Sequence, residues 1–111
     1  MAYAGTMIFI ETSVFTKEIK RLLPDEDYRM LQTALMYRPD AGDMIRGGGG
    51  LRKVRWHLPG MGKRGAMRVI YYWAPPDTIY MLLPYKKTDQ EDLTPEQLKF
   101  LRALEIGRAH V

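Results

Sequence analysis

The stretch "MRVIYYW", Met67 to Trp73, is the strongest β-strand signal in the sequence and decides the fold. β-Branched and aromatic side chains fill it, and such residues are enriched in strands. Its nearly continuous apolar character predicts a strand that is covered on both faces. Basic residues nevertheless occur at the start of this strand and in the glycine-containing segment just before it, namely Lys63, Arg64 and Arg68. Positive charge gathered at the start of a buried strand calls for a functional explanation.

Three further strands are predicted around this one. Met7–Ile10 is a short apolar run of β-favouring residues, and Thr78–Tyr85 is a second β-rich segment. Between Leu51 and Trp56, apolar residues alternate imperfectly with basic ones, which predicts a strand with one basic face. Residues 58–66 read as a Gly-rich hairpin loop and residues 75–77 as a Pro-rich turn. The last three strands therefore form a predicted antiparallel meander.

Helical periodicity marks three other segments. Apolar residues at helical spacing predict a helix over Val14–Leu23, capped by Thr12 or Ser13 and ended by Pro24. The sequence "TPEQ" at 94–97 has the N-cap threonine, first-turn proline and capping-box glutamine of a C-terminal helix. Asp25 is the candidate N-cap of the remaining helix. The buried face of that helix is predicted from its spacing to hold Tyr28, Leu31, Leu35 and Met36.

The element order is β-α-α-β-β-β-α, which predicts an α+β two-layer domain. Its parts are a small antiparallel β-sheet, an N-terminal αα-hairpin and a C-terminal helix. With 111 residues the chain has room for one such domain, which we place at residues 7–104. Residues 1–6 are expected to be an N-terminal extension. Residues 105–111, "EIGRAHV", are expected to be a non-native tail because they are similar to the translation of a common sequencing adapter.

Composition excludes several classes of protein. The sequence has no cysteine, so disulfides and thiolate zinc sites are ruled out. No apolar run approaches the roughly 18 residues that a membrane-spanning helix requires. The glycines at 47–50 are not followed by Lys-Ser or Lys-Thr, so a flexible loop is favoured over a nucleotide-binding P-loop. We expect a cytoplasmic protein without a membrane partner.

The positive charge is concentrated in the middle of the chain. Of the 17 basic residues, seven fall between Met44 and Pro76, where there is no acidic residue. The rest of the chain carries 10 basic and 13 acidic residues, so its net charge is negative. A basic segment of this kind indicates a polyanionic partner such as nucleic acid, the alternative being a solvated face with counterions.

Three blocks carry a resemblance to a known family: "GGGGLRKVRW", "GMGKRGAMRVIYYW" and "IYMLLPYKKTDQEDLTPEQLKFL". Over residues 7–104 they resemble the HigB-like branch of the RelE/ParE toxin superfamily. The resemblance implies a small antiparallel sheet flanked by helices. It also implies a toxin of a type II toxin–antitoxin system, a ribosome-dependent endoribonuclease that cleaves translated mRNA in the A site. The expected partners are the ribosome, mRNA and a cognate antitoxin, usually of the helix-turn-helix type.

The resemblance also assigns candidate catalytic residues. Arg68 lies where RelE toxins hold a catalytic arginine. Lys53 and Arg55 are two residues apart, so they share one face of a strand, and they match basic residues that act on the substrate phosphate. Lys87 is expected to supply part of the charge. His57 is a possible acid or base, and no metal or cofactor is expected.

A second group of residues is expected to bind RNA without taking part in the chemistry. Lys63 and Arg64 are expected to hold ribosomal RNA backbone, and Tyr85 is a candidate for stacking on a base. The weaker candidates are Arg46, Arg52 and Lys86. The sequence departs from RelE toxins at Thr88 and Thr94, where those toxins have an arginine and a tyrosine. The acidic run Asp89, Glu91 and Asp92 is expected to be a solvated linker.

Two alternatives stay open. A ParE-like toxin directed at DNA gyrase would share the fold without needing this many cations in the sheet. A catalytically weakened RNA-binding module would explain the departures at Thr88 and Thr94.

Overall fold

The computed structural model describes residues 7–57 and 65–106. The predicted extension at 1–6, most of the predicted hairpin loop, and residues 107–111 lie outside these ranges. Within them, no helix is both long and apolar enough to cross a membrane. The elements in chain order are β1 (Ile8–Glu11), α1 (Ser13–Leu22), α2 (Asp25–Tyr37), β2 (Asp43–Met44), β3 (Leu51–His57), β4 (Ala66–Ala74), β5 (Thr78–Lys86) and α3 (Pro95–Ile106).

The described strands form one five-stranded sheet in the order β1-β5-β4-β3-β2. β1 runs parallel to β5, and the other neighbouring pairs are antiparallel. The predicted α+β class and the meander of β3, β4 and β5 are confirmed. β2 was not predicted, because two residues are too short to show a period. β4, which contains the "MRVIYYW" stretch, lies in the middle of the sheet.

Helices cover both faces of the sheet. On one face α1 and α2 pack their apolar side chains against Met67, Val69 and Tyr71 of β4. On the other face Leu101 of α3 packs in a smaller cluster with Ile70. The two early helices thus share a face as predicted, while α3 adds a partial layer on the opposite side. Burial on both faces explains why β4 shows no polar–apolar alternation.

The helix starts follow local hydrogen-bonding rules. The Thr12 hydroxyl accepts the Phe15 N–H at 3.0 Å and caps α1. At α3 the Thr94 hydroxyl accepts the Gln97 N–H at 3.1 Å, and the Gln97 side chain accepts the Thr94 N–H at 2.9 Å. These bonds satisfy N–H groups that a helix start otherwise leaves unpaired. The capping box predicted from "TPEQ" is confirmed.

Two details of α2 differ from expectation. Asp25 is the first helical residue rather than the N-cap; Pro24 holds the cap position without a side-chain bond. In place of a side-chain cap, the three carboxylates in the first turn stabilise the positive end of the helix dipole. Met36 was predicted to be buried but is 41% exposed, because the buried stripe of α2 is narrow and centres on Leu31 and Leu35.

The loop after α2 is fixed to β4 by the hydroxyl of Tyr71. This hydroxyl donates to the Pro39 carbonyl at 2.7 Å and accepts the Gly42 N–H at 2.8 Å. The approach is close: a Cβ atom at Gly42 would lie 2.8 Å from Cε1 of Tyr71 and 3.0 Å from the Lys53 carbonyl oxygen. Burial raises the pKa of Tyr71, so the hydroxyl keeps its proton at neutral pH. Tyr71 therefore positions the segment that leads to Arg46.

Replacing Tyr71 with Phe should lower the free energy of unfolding by about 1–3 kcal/mol, because the Gly42 N–H would remain buried without an acceptor. Urea unfolding measures this change. The control is Tyr37→Phe, since Tyr37 is 78% exposed. Equal stability of Tyr71→Phe and the parent would show that the loop does not depend on this hydroxyl.

Candidate nucleic-acid interface

The register of β3 and β4 brings three of the predicted catalytic residues onto one face of the sheet. Arg55 lies directly opposite Arg68, and Lys53 is two residues from Arg55 on the same strand. Directly opposed residues, and residues two apart on one strand, point to the same side. His57 shares this side by the same rule and lies at the end of β3. Their catalytic roles remain a prediction.

Tyr85 reaches the same face through a β-bulge. In the pairing of β4 with β5 the register passes from Met81 to Leu83 and skips Leu82. One extra residue shifts the alternation of all later residues in the strand. Tyr85 consequently lies directly opposite Arg68 on the face of α3. In a regular strand it would point toward α1 and α2.

The bulge is bonded to the start of α1. The Thr12 hydroxyl donates to the Leu82 carbonyl at 2.9 Å, and the Thr12 N–H donates to the Met81 carbonyl at 3.0 Å. The same hydroxyl accepts the capping bond from Phe15. One threonine thus caps a helix and satisfies a carbonyl at the bulge, where the regular ladder is interrupted.

We call Lys53, Arg55, Arg68 and Tyr85 together the basic face. Arg68 is 7% exposed, and no other charged residue is buried among those the structure describes. In that part of the chain, neither Nη1 of Arg68 nor the hydroxyl of Tyr85 has a hydrogen-bond partner. Buried polar atoms are nearly always paired, because desolvation without a partner is unfavourable. Two unpaired donors side by side are an arrangement suited to an anion.

A cleft of about 400 Å³ opens onto the basic face beside β2 and the start of α3. Its volume lies within the range usual for ligand sites. Lys53 and Tyr85 contribute to its wall, and so does Arg46, which thereby joins the residues brought together by the fold. The lining residues are Asp43, Met44, Ile45, Arg46, Lys53, Tyr85, Asp92, Leu93 and Leu98.

An acidic residue of the linker between β5 and α3 lies at the mouth of this cleft. Lys53 Nζ donates to Oδ1 of Asp92 at 2.9 Å. That hydrogen bond, together with the charges of Lys53 and Arg68, lowers the pKa of Asp92. The Gln90 side chain donates to the Asp92 carbonyl at 2.9 Å and holds the turn. The predicted linker is mostly exposed, but one of its carboxylates is bound to a candidate catalytic cation.

Two predicted RNA-binding residues lie on the other side of the sheet. Nη1 of Arg52 donates to the carbonyls of Gly42 at 2.8 Å and Asp40 at 3.2 Å, so it braces the loop after α2. Lys86 lies opposite Met67, on the face of α1 and α2. The fold does not bring either residue to the basic face.

The remaining candidates lie at the margins. Lys87 is exposed just beyond β5, and its N–H donates to the Ala66 carbonyl at 3.2 Å. Lys63 and Arg64 lie outside the described residues. Thr94, the counterpart of the tyrosine in RelE toxins, has its hydroxyl engaged in the cap of α3. Among the described residues there is no group of three or more His, Asp or Glu side chains arranged to hold a metal ion.

Comparison with known proteins agrees with this architecture. No family model matches the sequence. Among solved structures, the chain is similar to a mutant of the E. coli toxin RelE in its free state, with a TM-score of 0.59. The match covers 92% of this chain and 99% of that chain at 13% sequence identity. The chain therefore has the RelE fold, as the sequence blocks predicted.

Replacing Lys53 with Ala should raise the pKa of Asp92 toward its ordinary value, because the largest cause of its lowering is the bond to Lys53. The pair is intact above the ordinary pKa of an aspartate and is lost as pH falls through the lowered value. Carbon-13 NMR titration of the Asp92 carboxyl measures the change. Lys17→Ala, on the exposed side of α1, is the control. An unchanged pKa in Lys53→Ala would mean that the pair does not persist in solution.

Proposed function

We propose that the protein is the toxin of a type II toxin–antitoxin system, of the HigB-like branch of RelE toxins. Its activity would be ribosome-dependent endonucleolytic cleavage of translated mRNA in the A site. The observation that carries the proposal is the buried Arg68, which is flanked in register by Arg55 and Tyr85 and has an unpaired guanidinium nitrogen. The RelE fold of the chain supports the same reading.

RNA cleavage of this kind has three chemical requirements. The 2′-oxygen loses its proton and bonds to phosphorus, negative charge builds on the phosphate oxygens, and the bond to the 5′-oxygen breaks as that oxygen gains a proton. Arg68 is proposed to stabilise the charge in the transition state, because a rigid strand fixes its donors in advance. Lys53 and Arg55 would hold the phosphate from β3. We assign this charge stabilisation to side chains rather than to a metal ion.

Proton transfer to the 5′-oxygen and from the 2′-oxygen requires side chains that can give up or take up a proton. His57 and Lys53 are the candidates, and Lys87 is proposed to supply part of the positive charge. Lys53 is bonded to Asp92 at 2.9 Å in the free protein, so substrate binding would have to exchange that carboxylate for a phosphate. His57 lies at the end of β3 on the same side of the sheet as the basic face, which makes it the candidate imidazole among the described residues.

The proposed partners follow from the same function. mRNA and the ribosome would meet the basic face, with Arg46, Lys63 and Arg64 holding RNA backbone. A cognate antitoxin, of the helix-turn-helix type in the HigB-like branch, would neutralise the toxin. The proposed location is the cytoplasm, where translation takes place.

A second candidate function is an RNA-binding module with weakened catalysis. The observation that favours it is the engagement of Thr94 in the cap of α3, at the position where RelE toxins have a tyrosine. A ParE-like gyrase toxin is less favoured, because it gives no reason for a buried, unpaired arginine opposite Arg55 and close to Lys53.

Brief expression followed by mapping of mRNA 5′ ends tests the activity. In-frame cuts within translated codons are expected. Arg68→Ala should lower the cleavage rate on the order of 10²-fold, as loss of one transition-state donor does. Arg29→Ala, an exposed arginine of α2, is the control.

The outcomes separate the candidates. Cleavage by Arg68→Ala at the parent rate would refute the assigned site. Gyrase-linked DNA damage without mRNA cuts would support the ParE-like alternative. RNA binding without cuts would support the weakened module.

A further inference from the structure

We infer that the Tyr85 hydroxyl and the Arg68 guanidinium form a buried seat for one phosphate group, to which Tyr85 donates a hydrogen bond. The inference deepens the proposed function and rests on it for the statement that the phosphate belongs to RNA. It replaces the expected role of Tyr85, stacking on a base, with a different chemical role.

Stacking is disfavoured by the position of the ring. Tyr85 is 6% exposed and belongs to the apolar cluster that also contains Ile70, Leu82 and Leu101. A base that stacks on an aromatic side chain needs an open ring face. The ring of Tyr85 is instead packed among side chains of the sheet and α3, so it offers no open face to a base.

The hydroxyl, by contrast, has no hydrogen-bond partner within the described protein. Tyr85 lines the cleft, and its hydroxyl is one of the unpaired buried atoms of the described chain. Arg68 lies directly opposite it on the neighbouring strand, and Nη1 of Arg68 is also unpaired. Side chains of directly opposed residues are near neighbours, with Cβ atoms about 4.5–5.5 Å apart. Two neighbouring residues therefore each have a buried polar atom for which the described protein offers no partner.

The chemistry of the two groups favours a phosphate. Burial raises the pKa of Tyr85, so the phenol keeps its proton at neutral pH and can donate. A guanidinium group can only donate hydrogen bonds, and the phenol can donate as well, so an acceptor with several oxygens can satisfy both. Phosphate oxygens form strong, charge-assisted bonds with guanidinium groups. A neutral donor beside the cation adds a bond without adding charge.

Asp92 does not fill this seat. Its charge acts on both Arg68 and Tyr85, but its carboxylate oxygen is hydrogen-bonded to Lys53. Its side chain is 73% exposed, whereas Arg68 and Tyr85 are almost fully buried. The carboxylate and Tyr85 both line the cleft, and Arg68 lies directly opposite Tyr85 on the neighbouring strand.

The matched test variant is Tyr85→Phe, which keeps the ring and its packing and removes only the hydroxyl. Inorganic phosphate is titrated into the full chain while nitrogen-15 NMR follows the Arg68 side-chain Nε. Saturable shifts are expected in the parent, with about tenfold weaker affinity in Tyr85→Phe, the value of one hydrogen bond. Tyr37→Phe should bind like the parent, because Tyr37 is an exposed residue of α2.

Stability supplies a second readout. Removing a buried hydroxyl that has no partner should shift the urea midpoint of Tyr85→Phe upward, since the desolvated group is lost. A hydroxyl with a structural role would give a downward shift instead. A gain in stability together with weaker phosphate binding is therefore specific to a ligand-binding hydroxyl.

Cleavage is measured separately. If the parent cuts mRNA, Tyr85→Phe should cut about tenfold more slowly while binding ribosomes equally well. Absence of cleavage by the parent would defeat the proposed function and leave the phosphate titration as the test of the seat. Equal phosphate affinity in the parent and Tyr85→Phe, or no phosphate effect on Arg68 in the parent, would overturn the inference.

Discussion

The structure depends on a cation that is kept inside a sheet. Arg68 is 7% exposed in the central strand, and Nη1 has no partner among the described residues. Burying a charge without full pairing is unfavourable, so the surrounding packing must supply the free energy that holds it there. Helices cover both faces of β4, and its neighbours on either side are paired along its length. The site is therefore rigid before any ligand arrives.

One face of the sheet holds most of the apolar core, and the other carries the candidate functional residues. The face under α1 and α2 holds the larger apolar cluster, with Tyr71 adding two hydrogen bonds to the following loop. The opposite face has a smaller cluster under α3, and the rest of it carries Lys53, Arg55 and Arg68. Fixed donors are more effective toward an anion than mobile ones, because no reorganisation is needed when charge develops. A large core on one side thus supports a polar site on the other.

Much of the fold follows from short-range patterns in the sequence. Features that depend on residues close in the chain were predictable from the sequence. These are the strands β3 to β5, the cap at Thr94 and the shared face of Lys53 and Arg55. The bulge at Leu82 was not predicted from the sequence. Its one sequence signal is the run of apolar residues at 81–83, which breaks the alternation of a regular strand. The bond between Lys53 and Asp92 joins residues 39 positions apart, and no local pattern encodes such a pair.

The bulge in β5 ties the strand that carries Tyr85 to the start of the first helix. Leu82 is the extra residue of the bulge and has no partner in the ladder, and Tyr85 beyond it lies opposite Arg68. The Leu82 carbonyl accepts a hydrogen bond from Thr12, the N-cap of α1. Loss of Leu82 alone would leave a regular ladder with Tyr85 still opposite Arg68, because Met81 would then be followed directly by Leu83. What such a deletion would remove is the carbonyl that accepts the Thr12 hydroxyl. Homologues that lack the extra residue should accordingly keep the phenol beside the arginine and lose this anchor to the first helix.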